Sequence, residues 1–204
     1  MALDTQVVEL LGRHRLMGEL LRDGLEVAVP ARDRGVDLIA YADLSLQVVA
    51  FAARPIQMKA FTTSGFSVAR KYTKIADLIV AYVWHVGGAE PAVTYALPYP
   101  EVVRVAEAMG WTGTASWKDG GAYTTTNPSQ KLLGLLEPYR MGPGKWWALV
   151  TGSEGTPNNA LQLTSAQSGP GSLSLTFGKR RSPVANAPPP TPSPPTGAHR
   201  RDPR

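Results

Sequence analysis

The ten residues from Asp77 to Val86 (Asp-Leu-Ile-Val-Ala-Tyr-Val-Trp-His-Val) constrain the fold of this chain more than any other stretch. From Leu78 to Trp84 no charged residue interrupts the run, so a strand built from it is apolar on both faces. Such a strand belongs in the interior of a sheet, and the sheet must be covered on both sides. The neighbouring segments supply that cover. Residues 5–22 read as a helix, because Val7, Leu10, Leu11, Met17, Leu20 and Leu21 recur near helical spacing. Asp4 or Thr5 can cap it, and Asp23-Gly24 ends it. Strands are predicted at 25–29, 36–42, 55–60, 66–68 and 92–97, with 47–53 a further candidate. Pro55 is tolerated as the first residue of its strand. Pro100–Met109 reads as a helix. Another runs to about Leu136, with Asn127 as its cap and Pro128 at its first position. Ala115–Tyr123 fits either state. Helix, strands and then helices predict an α/β domain over residues 1–152, with a mixed central sheet flanked by helices.

The composition changes after residue 152. Ser165–Ser172 is polar and glycine-containing, and Pro188–Pro195 is proline-dense. Chain of this kind buries too little apolar surface to offset its conformational entropy, so residues 153–204 are expected to form a disordered Pro/Gly/Ser-rich basic tail. That tail distorts the charge balance. The whole chain carries +5, with a pI near 9.6. Lys179, Arg180, Arg181, Arg200, Arg201 and Arg204, against Glu154 and Asp202, place +4 of it after residue 150. Overall basicity is therefore no argument for nucleic-acid binding by the domain, and only local patches count.

The absence of cysteine excludes disulfides, cysteine-ligated zinc and thiol catalysis within this chain. Its three histidines, at 14, 85 and 199, are far apart in sequence. Met1–Thr5 lacks a basic segment followed by an apolar run, and no apolar stretch has the length of a membrane span. The expectation is a cytoplasmic protein without membrane contact.

Candidate chemistry lies in Asp37, at the start of one predicted strand, and in Gln57-Met58-Lys59, in the next. Alternation puts Gln57 and Lys59 on one face of their strand and Ile56 and Met58 on the other, toward the core. Glu19, late in the first helix, adds a second acid. Each residue also has an ordinary reading. Asp37 can pair with Arg32 or Arg34, Gln57 and Lys59 can form a solvated strand face, and Glu19 can pair with Arg15 or Arg22.

Glu19 on a helix, Asp37 after a Gly-containing turn and the Gln57-x-Lys59 strand together resemble the PD-(D/E)xK nuclease superfamily. The similarity is to its resolvase-like and homing-endonuclease-like members, in a Gln-x-Lys variant, and covers roughly residues 10–85. The resemblance implies a restriction-endonuclease-like sheet with these residues at one end. It further implies Mg²⁺ or Mn²⁺ held by Asp37, Gln57 and Glu19, hydrolysis of DNA phosphodiesters with Lys59 as catalytic lysine, and a possible homodimer. Gln57 offers an amide oxygen without charge, so a catalytically inactive nuclease-fold module that binds nucleic acid or protein is the alternative. Arg70, Lys71, Tyr72 and Lys74 form a basic patch around an aromatic, suited to a phosphate backbone or to solvent. Lys145-Trp146-Trp147 offers either base stacking or core packing. No phosphate-loop pattern is present.

Overall fold

The computed structural model describes residues 3–32, 34–42 and 51–152, all within one compact unit, Met1–Gln162. The expected tail at 153–204 and most of the strand candidate at 47–53 lie outside the described residues. Among the described residues no helix is long and apolar enough to cross a membrane.

The run around residue 80 forms β5 (Ile79–Trp84), and all six of its residues are buried. It lies within a five-stranded mixed sheet with β1 (Leu25–Ala28), β2 (Leu38–Ala42), β3 (Ala53–Ala60) and β6 (Val93–Pro98). The strand order is β1-β2-β3-β5-β6. The first three strands form an antiparallel meander, β5 joins parallel to β3, and β6 is antiparallel to β5. This is the α/β architecture expected.

Alternation along β3 and β5 divides the core into two clusters. Ile56, Met58, Ile79, Ala81 and Val83 face one side. There α1 (Thr5–Arg22) and α5 (Lys145–Thr151) supply Leu16, Leu20, Trp146 and Val150. Val80, Tyr82 and Trp84 face the other side, covered by α2 (Tyr99–Ala108) and α4 (Gln130–Leu136). A second sheet, β4 (Phe66–Ala69) paired antiparallel with β7 (Ala122–Thr125), closes that side. The short α3 (Ala115–Lys118) precedes β7, so the ambiguous segment contains both a helix and a strand.

Several boundaries follow from named contacts. Asp4 caps α1 by accepting from the Gln6 N–H. Gly24, at φ 81°, takes the left-handed turn after Asp23. The cap of α4 differs from expectation. Ser129, not Asn127, supplies the side-chain oxygen, accepting from the Leu132 N–H at 3.3 Å. The Asn127 carbonyl instead accepts from the Thr125 hydroxyl, in a turn that ends β7.

Candidate functional site

Asp37 stands immediately before β2, where the ladder between β2 and β3 runs out. Its backbone N–H donates to the Ile56 carbonyl at 2.8 Å, the last such contact on that side of β3. The next inward-facing donor of β3, the Met58 N–H, has no β2 residue opposite it. The Asp37 carboxylate takes that place and accepts from it at 2.6 Å. The same Oδ2 accepts from the Gln57 amide nitrogen. That nitrogen also donates to the Met58 carbonyl at 3.0 Å. Two oxygens meet one Nε2, and only the nitrogen end of the amide satisfies both. Asp37 is 7 % exposed and Gln57 5 %. The ordinary reading of Gln57 as part of a solvated face therefore fails, because α2, α4 and the second sheet cover that side of the sheet.

Lys59 follows on the same face, half-buried, with Nζ 5.7 Å from the centre of the Tyr72 ring. Lys71 approaches the same ring at 5.1 Å. Tyr72 is itself buried, and a side chain at Gly35 would meet its ring at 3.1 Å. Thus one aromatic ring ties the turn that delivers Asp37 to the strand that delivers Lys59 and to the basic patch. The patch is a 3-10 turn, Arg70–Lys74. Its members divide. Lys71 and Lys74 are exposed. Tyr72, buried, has no face open for a base. Arg70 donates to the Trp117 and Lys118 carbonyls, at 2.6 Å each, and lies over the Trp117 ring. It holds the end of α3 although it is exposed.

Glu19 is elsewhere. Its Oε1 pairs with Arg15 Nε at 3.0 Å and accepts from the Thr94 hydroxyl at 2.9 Å. Its Oε2 accepts from the Trp146 indole N–H at 3.3 Å. These contacts belong to the α1/α5 side of the sheet, whereas Gln57 and Lys59 project from the opposite side. Asp37 and Gln57 are in contact, Lys59 stands two residues further along the same strand face beside Tyr72, and Glu19 lies on the other side of the sheet. The Arg15 pairing is the ordinary role open to Glu19 in the sequence. Glu19 instead lines a cleft of about 440 Å³ with Arg15, Arg22, Asp23, Met141 and Trp146. Asp23 accepts there from the Gly144 and Trp146 N–H groups, both at 2.9 Å. Trp146 and Trp147 are buried, so packing accounts for the aromatic run at 145–147.

Sequence reasoning missed the Met58 carbonyl and the role of Tyr72 as a shared ring. The first has no sequence signal. The second was visible only as an aromatic between lysines. Among the described residues no three His, Cys, Asp or Glu side chains gather into a potential metal cluster. No protein-family model, curated protein or solved structure matches this chain.

Proposed function

We propose that this chain is a nuclease-like protein of the PD-(D/E)xK type, acting on DNA phosphodiesters with a divalent metal and built on a restriction-endonuclease-like sheet. The observation that carries the reading is the contact of Asp37 with Gln57 across adjacent strands, with Lys59 on the same face and the exposed Lys71 against the same Tyr72 ring. The metal fit rests on donor chemistry. The Asp37 carboxylate and the Met58 carbonyl converge on the partial positive charge of the Gln57 amide nitrogen. Hard oxygens converging on positive charge suit Mg²⁺ or Mn²⁺, which bind through few protein ligands and keep several waters. Asp37 and the Met58 carbonyl would hold the ion, and Gln57 would join them only with its amide oxygen turned inward. When bound, such an ion supplies Lewis acidity toward water and phosphate. Lys59 places a cation where charge develops on the phosphate, and Lys71 and Lys74 hold the neighbouring backbone by charge. Glu19 has no part in this site.

A second reading, a nuclease-fold module that binds nucleic acid without cleaving it, is favoured by one observation. The amide of Gln57 satisfies the carboxylate that a metal would need, and among the described residues no cluster of acids gathers around it. Plasmid nicking in Mg²⁺ or Mn²⁺ separates the two. The first reading expects nicking that falls roughly a hundredfold or more in Lys59→Ala. Nicking that survives both Asp37→Ala and Lys59→Ala rules out this site. DNA binding without cleavage in either metal selects the second reading.

A further inference from the structure

Helix α1 is apolar on two opposite sides. Val8, Gly12, Leu16 and Leu20, four residues apart, are buried against the sheet. Val7, Leu10, His14, Gly18 and Leu21, spaced by three or four, fall on the far side at 100° per residue. Val7 is 41 % exposed, Leu10 51 % and Leu21 52 %. A helix covering a sheet ordinarily turns a polar face to solvent, so this second stripe is what needs a partner. Leu3 and Leu11 continue it at one border, where they rest on Gly87 of the turn between β5 and β6.

The geometry points to a second copy of this chain as the occupant, docked through antiparallel pairing of the two α1 helices. Charge selects that partner. Along one edge of the stripe stand Asp4 at the N-terminal end and Arg22 at the C-terminal end, both exposed, and neither in an ion pair among the described residues. A two-fold axis crossing the stripe near its middle sets Asp4 of each copy against Arg22 of the other, forming two equivalent pairs. Shape agrees with the same register. Val7 of one helix meets Gly18 of the other, where nothing lies within 4 Å of an added Cβ. Leu21 meets Leu3. A parallel two-fold arrangement carries the Asp4/Arg22 edge of one copy to the opposite side of the contact from that of the other, so neither pair forms. Because α1 lies on the side of the sheet away from Gln57 and Lys59, this pairing is independent of any chemistry at that site.

Sedimentation equilibrium of the full chain tests it. The expected result is a dimer, which Leu10→Glu weakens at least roughly a hundredfold, since two-fold symmetry counts the change twice. Leu10 is exposed, so thermal melting of that variant should show a folded monomer. A wild-type chain that stays monomeric at the highest soluble concentration overturns the proposal, as does a Leu10→Glu variant that dimerises like wild type. The native lack of cysteine makes orientation readable. Val7→Cys/Gly18→Cys should oxidise to a covalent dimer, and Leu21→Cys alone should not. A covalent dimer of Leu21→Cys alone would mean parallel helices, in which like residues meet, and would overturn the assignment.

Discussion

Gln57 is the residue at which packing and chemistry compete. Its amide nitrogen lies between the Asp37 carboxylate and the Met58 carbonyl, so in this state it works as a buried connector. Asp37→Ala leaves the Met58 N–H and that amide without their acceptor in a buried place, which should cost about 1–3 kcal/mol in urea denaturation. Asp37→Asn keeps one acceptor oxygen and should cost less. Gln57→Glu tests the site differently, by setting two carboxylates against each other. Without metal that variant should be less stable than wild type, with one carboxyl driven toward its protonated form. If Asp37 and Met58 hold a divalent ion, Mg²⁺ should raise its melting temperature more than that of wild type. An equal response in both proteins would count against a metal at this position. The shared face of Gln57 and Lys59 was legible in the sequence, because strand alternation is a local property. The burial of that face was not, since it comes from α2, α4 and β7, distant in the chain, and from β4, which is near in sequence but pairs with β7.

At the scale of elements, α1 was legible from its cap, its spacing and its Asp23-Gly24 stop, because these signals are local. Its rotation about its own axis was not. Glu19 stands between the buried Leu16 and Leu20, and only the docking of α1 on the sheet decides which side its carboxylate reaches. The strand at 66–68 was legible as β4, but its pairing with β7 was not, for a related reason. Each strand has four residues, and Phe66 pairs with Thr125 far along the chain. Close approach can be tested at two helical glycines. A Cβ at Gly12 would sit 2.7 Å from the Ala60 Cβ on β3. Gly12→Ala should therefore cost about 1–3 kcal/mol through overpacking, in spite of the better helix former. Nothing lies within 4 Å of a Cβ at Gly134 in α4, so Gly134→Ala should instead add up to about 1 kcal/mol. Melting temperatures of the two variants should move in opposite directions.

For the whole molecule, the tyrosines set the alkaline limit. Tyr82 is buried within the core, and burial foremost, then Tyr72 and Tyr99 nearby, push its pKa well above the usual value. Burial raises Tyr95, Tyr99 and Tyr139 as well. The folded chain keeps these protons while the unfolded chain loses them near pH 10, so stability is intact below about pH 10 and falls as pH rises above it. Urea denaturation between about pH 8 and pH 11 should show that fall. Tyr82→Phe should make it shallower, at a cost of about 1 kcal/mol at neutral pH for the lost bond to the Ser67 carbonyl.

The five-stranded sheet also acts as an energetic partition. Glu19 is bound to Arg15, Thr94 and Trp146 on one side, Gln57 to Asp37 and Met58 on the other, and they have no partner in common. Packed layers stand roughly 10 Å apart, a separation at which substitution effects usually sum to within about 0.5 kcal/mol. The stability loss of Glu19→Gln combined with Gln57→Ala should therefore equal the two single losses added together. A larger coupling, read from a double-mutant cycle, would mean that strain passes through β3. Otherwise each side can lose or regain its polar network while the other stays unchanged, so chemistry gained or lost around Asp37 leaves the α1/α5 cleft intact.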